Sequence, residues 1–252
     1  MNIKSILTSA LLLASFMTAG AQTRYLNVQT GDGQYKSFEV TPDLELSWDL
    51  ENYEENKPAT TTGTAKAMID NVETDVNWVQ LWEGGPMFAD RNIGATSETD
   101  YGDYYFWGGS QNKVDDHNTA NTGSWNLTGT DDTATKLWGS NWRMPTKGEL
   151  ENLLANCNVK WIDGITEKYN NTAVTGLLCT GKDAYSSNRV FLPAASVCLY
   201  GNVSDQGYCG YYWSSTPNGS DSAYYLYFHS GNQDVSYDAR SLGYSVRAVL
   251  AE

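Results

Sequence analysis

Histidine and basic residues are scarce in this chain of 252 residues. Its two histidines are His117 and His229, and none of its four cysteines belongs to a C-x-x-C pair. A three-histidine iron site is therefore excluded, and a Cys/His zinc cluster has little support. Lys and Arg total 16 against 30 Asp and Glu, for a net charge of -14. Such an acidic chain repels phosphate backbones and anionic head groups, so nucleic acid is not an expected partner.

The sequence also lacks an apolar run long enough to cross a bilayer. The apolar stretch Ile6–Met17 is too short for a membrane span, follows Lys4, and precedes small residues at 19–21. This is the layout of a secretory signal peptide that is cleaved after Ala21. We therefore expect residues 1–21 to be a signal peptide and the mature protein to be exported, whether to the cell surface, the periplasm or the medium.

Four cysteines are few for an exported chain, and they leave the disulfide pattern open. Cys157, Cys179, Cys198 and Cys209 allow one or two bridges in an oxidising compartment. Cys198 and Cys209 are the first choice for a pair because they are close in sequence. Buried unpaired thiols are the alternative.

The order of local signals predicts two folded regions. Residues 22–57 contain short strand patterns around a Gly-Asp-Gly turn, including "LELSW", and predict a small β module. Residues 58–75 are Thr-rich without clear periodicity and predict a linker. Residues 76–252 predict an α+β domain with short strands and one or two helices.

One helix stands out in "MPTKGELENLLANC", where Thr146 and Glu149 have capping-box spacing and the leucines that follow share one face. Strand patterns occur in "RVFLPAA", "GYYWSST", "AYYLYF" and "YSVRAVL".

Four stretches in this order resemble a known bacterial family. They are "ADRNIGATSETDYGDYYFWGG" (89–109), "LWGSNWRMPTKGELENLL" (137–154), "RVFLPAAS" (189–196), and "GYYWSST" through "GYSVRAVL" (210–250). Together they are similar to the major paralogous domain of Fibrobacter succinogenes. The resemblance covers about 76–252 and implies a C-type-lectin-like fold related to formylglycine-generating enzymes for that region, which follows the small β module predicted from the strand patterns.

Two catalytic chemistries arise, one from the resemblance and one from the residues around His229, and the sequence supports neither. Oxidases with this fold use reactive cysteines in their own signature, which the segment around Cys198 and Cys209 does not resemble. A Ser-His-Asp triad on His229 with Ser214 or Ser215 is not selected by order or spacing. We therefore expect no enzymatic activity.

Calcium-dependent sugar binding in lectin relatives uses Glu-Pro-Asn or Gln-Pro-Asp with Trp-Asn-Asp, and none of these tripeptides occurs here. No cofactor is expected. A structural Ca²⁺ on Asp115, Asp116, Asp131 and Asp132 is the alternative to solvated loop carboxylates.

Tyrosine is abundant near the C-terminus, where eight of the 17 tyrosines lie between Tyr208 and Tyr244. In "SAYYLYFHSG", strand alternation directs Leu226 and Phe228 to the core and predicts that Tyr225, Tyr227 and His229 are presented to solvent or a partner. Tyrosine mixed with Ser, Asn, Asp and Gly is typical of antibody loops. A tyrosine-rich structural sheet is the alternative.

The sequence thus predicts a non-enzymatic ligand-binding protein whose binding face is built from residues 197–244. The predicted ligand contacts are Tyr211, Tyr225, Tyr227, His229, Asn232, Tyr237 and Asp238, and the predicted scaffold is Leu226, Phe228, Trp213, Trp142 and Arg247. In some members of the resembled family, the C-terminal stretch is the variable region of a diversity-generating retroelement, which implies a diversified face here. The expected partner is a protein or glycan ligand on another cell or host surface. A non-variable surface or adhesive module that binds polysaccharide is the alternative function.

Overall fold

The structure, a computed structural model, describes residues 25–29, 35–39, 60–110 and 123–251, and the chain divides into two compact units, Met1–Ala59 and Thr60–Glu252. In the first unit, strands β1 (Tyr25–Gln29) and β2 (Tyr35–Glu39) pair antiparallel. This pairing confirms the short strands predicted around the Gly-Asp-Gly turn. The predicted signal peptide and the "LELSW" strand lie outside the described residues.

The second unit begins with a hairpin where the sequence predicted a linker. Strands β3 (Thr62–Ile69) and β4 (Val72–Gln80) pair antiparallel, and Asp70 and Asn71 form the two-residue turn between them with φ values of 50° and 62°. Positive φ at both turn positions is the requirement of the favoured hairpin turn. The linker prediction for 60–75 was therefore wrong. Alanine, glycine and threonine alternate along β3, and such small side chains give a weak hydrophobic signal.

This hairpin forms the edge of a five-stranded sheet. The sheet has the strand order β3-β4-β5-β15-β6, with β5 at Met87–Ala89, β6 at Trp142–Arg143 and β15 at Val249–Leu250. The last strand of the chain therefore lies between two earlier ones. This closure explains why "YSVRAVL" is buried almost throughout.

Two α-helices lie within the described residues. Helix α2 (Lys147–Asn156) has the predicted capping box: the Thr146 side chain accepts from the Glu149 N–H, and the Glu149 side chain accepts from the Thr146 N–H. Leu150 and Leu153 are buried, so the predicted helix and its apolar face are confirmed. Helix α1 (Thr133–Trp138) is short and was not predicted.

The remaining strands form three antiparallel sheets, so the described part of the chain is mostly strand with few helices. This architecture is compatible with the predicted α+β class. Their bounds are β7 (Asn158–Ile162), β8 (Gly176–Thr180) and β9 (Arg189–Pro193); β10 (Val197–Leu199) and β11 (Asn202–Ser204); and β12 (Cys209–Asn218), β13 (Ser222–His229) and β14 (Asn232–Ala239). No helix among the described residues is long and apolar enough to cross a membrane.

The predicted scaffold residues are all buried. Trp142 lies edge-on to Trp138 with ring centres 5.4 Å apart. Arg247 is 1% exposed and donates to Asn92 Oδ1 and to the carbonyl oxygens of Ala89 and Phe191 at 2.9–3.1 Å. A buried guanidinium needs such acceptors, so Arg247 ties three separate segments together.

Candidate ligand-binding face

The candidate site is one face of the sheet β12-β13-β14, which we name the tyrosine face. Tyr211 pairs with Tyr227, and Tyr227 pairs with Asp234; likewise Cys209 pairs with His229, and His229 with Asn232. Because side chains alternate along a strand, paired residues share a face. The tyrosine face comprises Cys209, Tyr211, Trp213, Ala223, Tyr225, Tyr227, His229, Asn232, Asp234, Ser236 and Asp238.

The opposite side of the sheet is fixed by the core. Tyr212, Leu226 and Phe228 are buried in one cluster, where the Tyr212 and Phe228 rings stack with centres 5.7 Å apart. Gly210 pairs with Phe228, and a Cβ at Gly210 would collide with the Phe228 ring. This packing determines which face of the sheet carries the candidate site. It confirms the prediction that Leu226 and Phe228 point into the core.

The inner part of the tyrosine face is a buried aromatic floor. The Trp213 and Tyr244 rings lie 4.4 Å apart, and the Tyr225 ring lies 5.9 Å from Trp213 and 4.9 Å from Tyr244. Tyr225 is only 7% exposed. The prediction that Tyr225 is presented to a ligand was therefore wrong, because the segment that carries Tyr244 covers it.

Burial also fixes the protonation state of Tyr244 in this aromatic floor. It raises the pKa of Tyr244, and the neighbouring Asp238 raises that pKa further. Tyr244 therefore stays protonated, and its hydroxyl donates to Asp238 Oδ2 at 3.2 Å. This hydrogen bond orients Asp238, which is one of the predicted contact residues.

The outer part of the face exposes three rings in a row. Tyr211, Tyr227 and His229 are each half-buried, with ring centres 5.0 Å apart for Tyr211 and Tyr227 and 5.5 Å apart for Tyr227 and His229. The Tyr211 ring in turn stacks on Tyr244 at 4.8 Å. The buried floor thus holds the exposed rings in place. They offer a ligand a large contact area, and binding costs little conformational entropy.

Strand β14 adds polar side chains along the edge of these rings. Asn232 and Asp234 are exposed and Asp238 is half-buried. Asp234 and Asp238 each accept the backbone N–H of the following residue, at 2.8 and 2.7 Å. Asp234 and Ser236 were missed from the predicted contacts because "NQDVSYDA" was not recognised as a strand; its alternation from Asn232 onward is the signal that places both residues on this face.

Tyr237 lies on the other side of the sheet. It pairs with Tyr224 in register, and the two rings meet edge-on with centres 6.0 Å apart. Tyr237 is 58% exposed, but it is separated from Tyr211, Tyr227 and His229 by the sheet itself. The structure thus gathers Tyr211, Tyr227, His229, Asn232 and Asp238 on one accessible surface, whereas Tyr225 is buried and Tyr237 is elsewhere.

The groups considered for catalysis are not assembled into a site. Ser214 is buried and donates to the Tyr224 carbonyl at 2.8 Å on the face opposite His229. The His229 Nδ1 atom accepts the Gly231 N–H at 3.1 Å. A backbone N–H thus occupies Nδ1, the position at which a Ser-His-Asp triad requires a carboxylate partner.

The cysteines and the candidate calcium ligands also have other roles. None of the four cysteines, all of which lie in the described part of the chain, forms a disulfide, so the first choice of a Cys198–Cys209 bridge was wrong; Cys198 packs against Gly243, whereas the Cys209 Sγ lies 4.0 Å from Ser196 Oγ. Within the described ranges, no three His, Cys, Asp or Glu side chains are grouped to hold a metal ion.

Asp132 is fully buried rather than a solvated loop carboxylate. Its two oxygens accept the N–H groups of Thr135 and Met144 at 3.0 and 2.9 Å, so it caps α1. Asp115 and Asp116 lie outside the described residues.

In comparisons with known proteins, no family model, no curated protein and no solved structure matches this chain.

Proposed function

We propose that this chain is an exported, non-enzymatic binding protein that holds its ligand on the tyrosine face of a C-type-lectin-like domain. The ligand is a protein or glycan on another cell or host surface. The face is diversified by a retroelement acting on the C-terminal coding region. This proposal joins the signal-peptide pattern and the family resemblance to the geometry of the β12-β13-β14 sheet.

The observation that carries the proposal is the division of one face into a fixed floor and an exposed layer. Trp213, Tyr225 and Tyr244 are nearly inaccessible and pack on one another. Tyr211 and Tyr227 lie beside this floor with part of each ring in solvent. Large rigid aromatic surface on a stable frame is the feature that binding proteins use for affinity.

The same division supports diversification. The three strands are held by backbone pairing over β13 and β14 and by the core on the opposite face. Side chains at exposed positions such as Asn232 and Asp234 contribute little to that pairing. Changing them alters the surface offered to a ligand while the frame stays folded.

The arrangement of titratable groups supports a binding role rather than catalysis. Burial raises the pKa of Cys157 to about 11 and also raises the pKa of Cys179, which disfavours reactive thiolates at both positions. Ser214 and His229 lie on opposite faces of the sheet. Binding without turnover is therefore the function that the site supports best.

The experiment compares the chain with two variants on a glycan array and on a panel of intact bacterial and host cells. Tyr227→Ala with His229→Ala removes two exposed rings from the tyrosine face. Tyr237→Ala removes an exposed ring from the opposite face and is the matched control. We expect the double variant to lose binding by about tenfold or more and the control to bind like wild type. Equal binding by all three proteins, or turnover of a bound ligand, would contradict the proposal.

A further inference from the structure

A second candidate site, a cleft, lies on the five-stranded sheet and is built from elements other than β12-β13-β14. It is a cleft of about 410 Å³ between the outer surface of β3 and β4 and the segments that contain Glu98, Tyr169 and Arg189. Ligand pockets in proteins fall in a range of about 300–1,000 Å³, so the cleft is large enough for a small molecule or one end of a chain.

The floor of the cleft is a strip of neutral polar side chains. Thr62 and Thr64 project from β3, and Asn77, the register partner of Thr64, projects from β4; all three are exposed. The neighbouring Trp78 belongs to the opposite side of the sheet, where it packs against the core. Hydroxyl groups both donate and accept hydrogen bonds, and the amide of Asn77 offers an acceptor oxygen beside them.

One carboxylate beside this floor is held in place. Asp90 accepts from Asn77 Nδ2 at 2.8 Å, from Arg91 Nε at 2.9 Å and from Arg91 Nη2 at 3.2 Å. An ionised carboxylate has about four acceptor positions, so Asp90 is oriented by these bonds without being saturated by them. It presents a fixed acceptor to a ligand at the edge of the cleft.

A second carboxylate is held at the opposite wall. Glu98 accepts from the Tyr169 hydroxyl at 2.9 Å and from the Asn170 amide. The Tyr169 ring stacks on Phe191 with centres 4.3 Å apart, and burial, followed by the effect of Glu98, raises the pKa of Tyr169 to about 12. The phenol therefore remains a neutral donor, and Glu98 is kept in one orientation.

Arg189 provides donors on the same wall. Its guanidinium carbon lies 5.4 Å from the centre of the Tyr169 ring, and one N–H group donates to Asn170 Oδ1 at 3.0 Å. A guanidinium has five N–H donors, and this bond uses one of them. Stacking on a fixed ring limits the motion of an otherwise exposed side chain.

The charges and polarity of the cleft select the class of ligand. Asp90 and Glu98 carry two negative charges, which Arg91 and Arg189 balance. A free anion meets two carboxylates, a free cation meets two guanidinium groups, and Val79 is the one aliphatic side chain that lines the cleft among the described residues. A neutral molecule rich in hydroxyl groups is complementary to this lining.

We propose that the cleft between β3-β4 and the Glu98, Tyr169 and Arg189 wall binds a neutral saccharide unit. The hydroxyls of the sugar donate to Asp90 and Glu98 and accept from Arg189 and from the threonine hydroxyls. This site does not depend on ligand binding at the tyrosine face. The protein then has two recognition surfaces on different sheets of the same unit.

The test titrates the full chain with maltose, cellobiose, lactose and N,N′-diacetylchitobiose and follows binding by saturation-transfer difference NMR. Ser187→Trp and Thr64→Trp place a bulky ring in the cleft from two different walls, and both positions are exposed, so the core is unchanged. Ser220→Trp adds the same ring at an exposed turn that does not line the cleft. Circular dichroism confirms that each variant is folded.

We expect at least one of the disaccharides to bind with a Kd of about 1 mM or tighter, and both blocking variants to weaken binding about tenfold or more. Ser220→Trp and the tyrosine-face variant Tyr227→Ala should bind like wild type. The proposal is overturned if no disaccharide binds at about 10 mM, or if binding survives both blocking variants. Loss of binding in Tyr227→Ala alone would move the saccharide to the tyrosine face and equally overturn it.

Discussion

Tyr225 and Tyr227 are two residues apart on the same strand and the same face, yet the structure gives them opposite roles. Tyr225 is 7% exposed and its ring contacts Trp213, Tyr244 and Tyr211 at centre distances of 4.9–5.9 Å. Truncating a buried aromatic ring to alanine costs about 3–5 kcal/mol. In a unit of this size, 1 kcal/mol shifts Tm by about 2–4 °C. Tyr225→Ala should therefore lower Tm by about 10 °C.

Tyr227→Ala is the matched comparison. Its ring is half-buried and contacts Tyr211 and His229, so the expected loss is about 1 kcal/mol and a few degrees in Tm. Differential scanning calorimetry of the two variants beside wild type measures both shifts. A Tyr225→Ala variant that melts within about 2 °C of wild type would refute the burial of this ring and with it the division of the face into floor and exposed layer.

Three further predictions concern the frame. Glu149 is half-buried, and this partial burial opposes ionisation, but bonds from Arg143 and the Thr146 N–H outweigh it and hold the pKa of Glu149 below the usual 4.5. Glu149→Gln should lower the free energy of unfolding by about 1–2 kcal/mol at pH 7. In urea titrations, this difference from wild type should shrink as the pH falls from about 4.5 through the lower pKa of Glu149 in the folded state. A difference that stays constant with pH would contradict the ion pair. Arg247→Met leaves three acceptors without their donor and should lower the free energy of unfolding by about 3 kcal/mol or more; a urea midpoint unchanged from wild type would argue against this role. Cys209 is half-exposed whereas the other three thiols are buried, so a disulfide-exchange reagent should label one thiol rapidly in the native chain. Labelling of none would indicate a bridge, and rapid labelling of all four would indicate an open core.

The elements that sequence patterns predicted correctly are those with strong local signals. Helix α2 carries both a capping box and a leucine stripe, so its start at Lys147 follows from neighbouring residues alone. Strand β13 alternates around Leu226 and Phe228, which identifies its core face. These signals involve contacts within a few residues along the chain.

The elements that were missed depend on contacts between distant segments. Strand β14 contains one aliphatic branched residue, Val235, among polar side chains, and it is a strand because it pairs along the whole of β13. Strand β3 begins with the small residues of 62–65, and it is a strand because it pairs with β4. A pattern of apolar residues cannot reveal either pairing.

The candidate site shows the same limit. Alternation places Tyr225, Tyr227 and His229 on one face, but it does not show that the segment around Tyr244 covers Tyr225. That cover comes from the pairing of Tyr244 with Tyr105, which are far apart in sequence. Tyr237 was assigned to the site because of its neighbours in sequence, whereas the register with Tyr224 puts it on the other side.

The most direct test of the central claim, a fixed frame that carries a diversified binding face, is deep sequencing of the 3′ end of this gene and the DNA beside it in a population of the source organism. The account predicts substitutions at positions that reach solvent on the tyrosine face, above all Tyr211, Tyr227, His229, Asn232 and Asp238, that correspond to adenines in a nearby template copy. It predicts none at buried Tyr225 or Tyr244. An invariant gene without a template, or substitutions spread equally over buried and exposed positions, would contradict the claim.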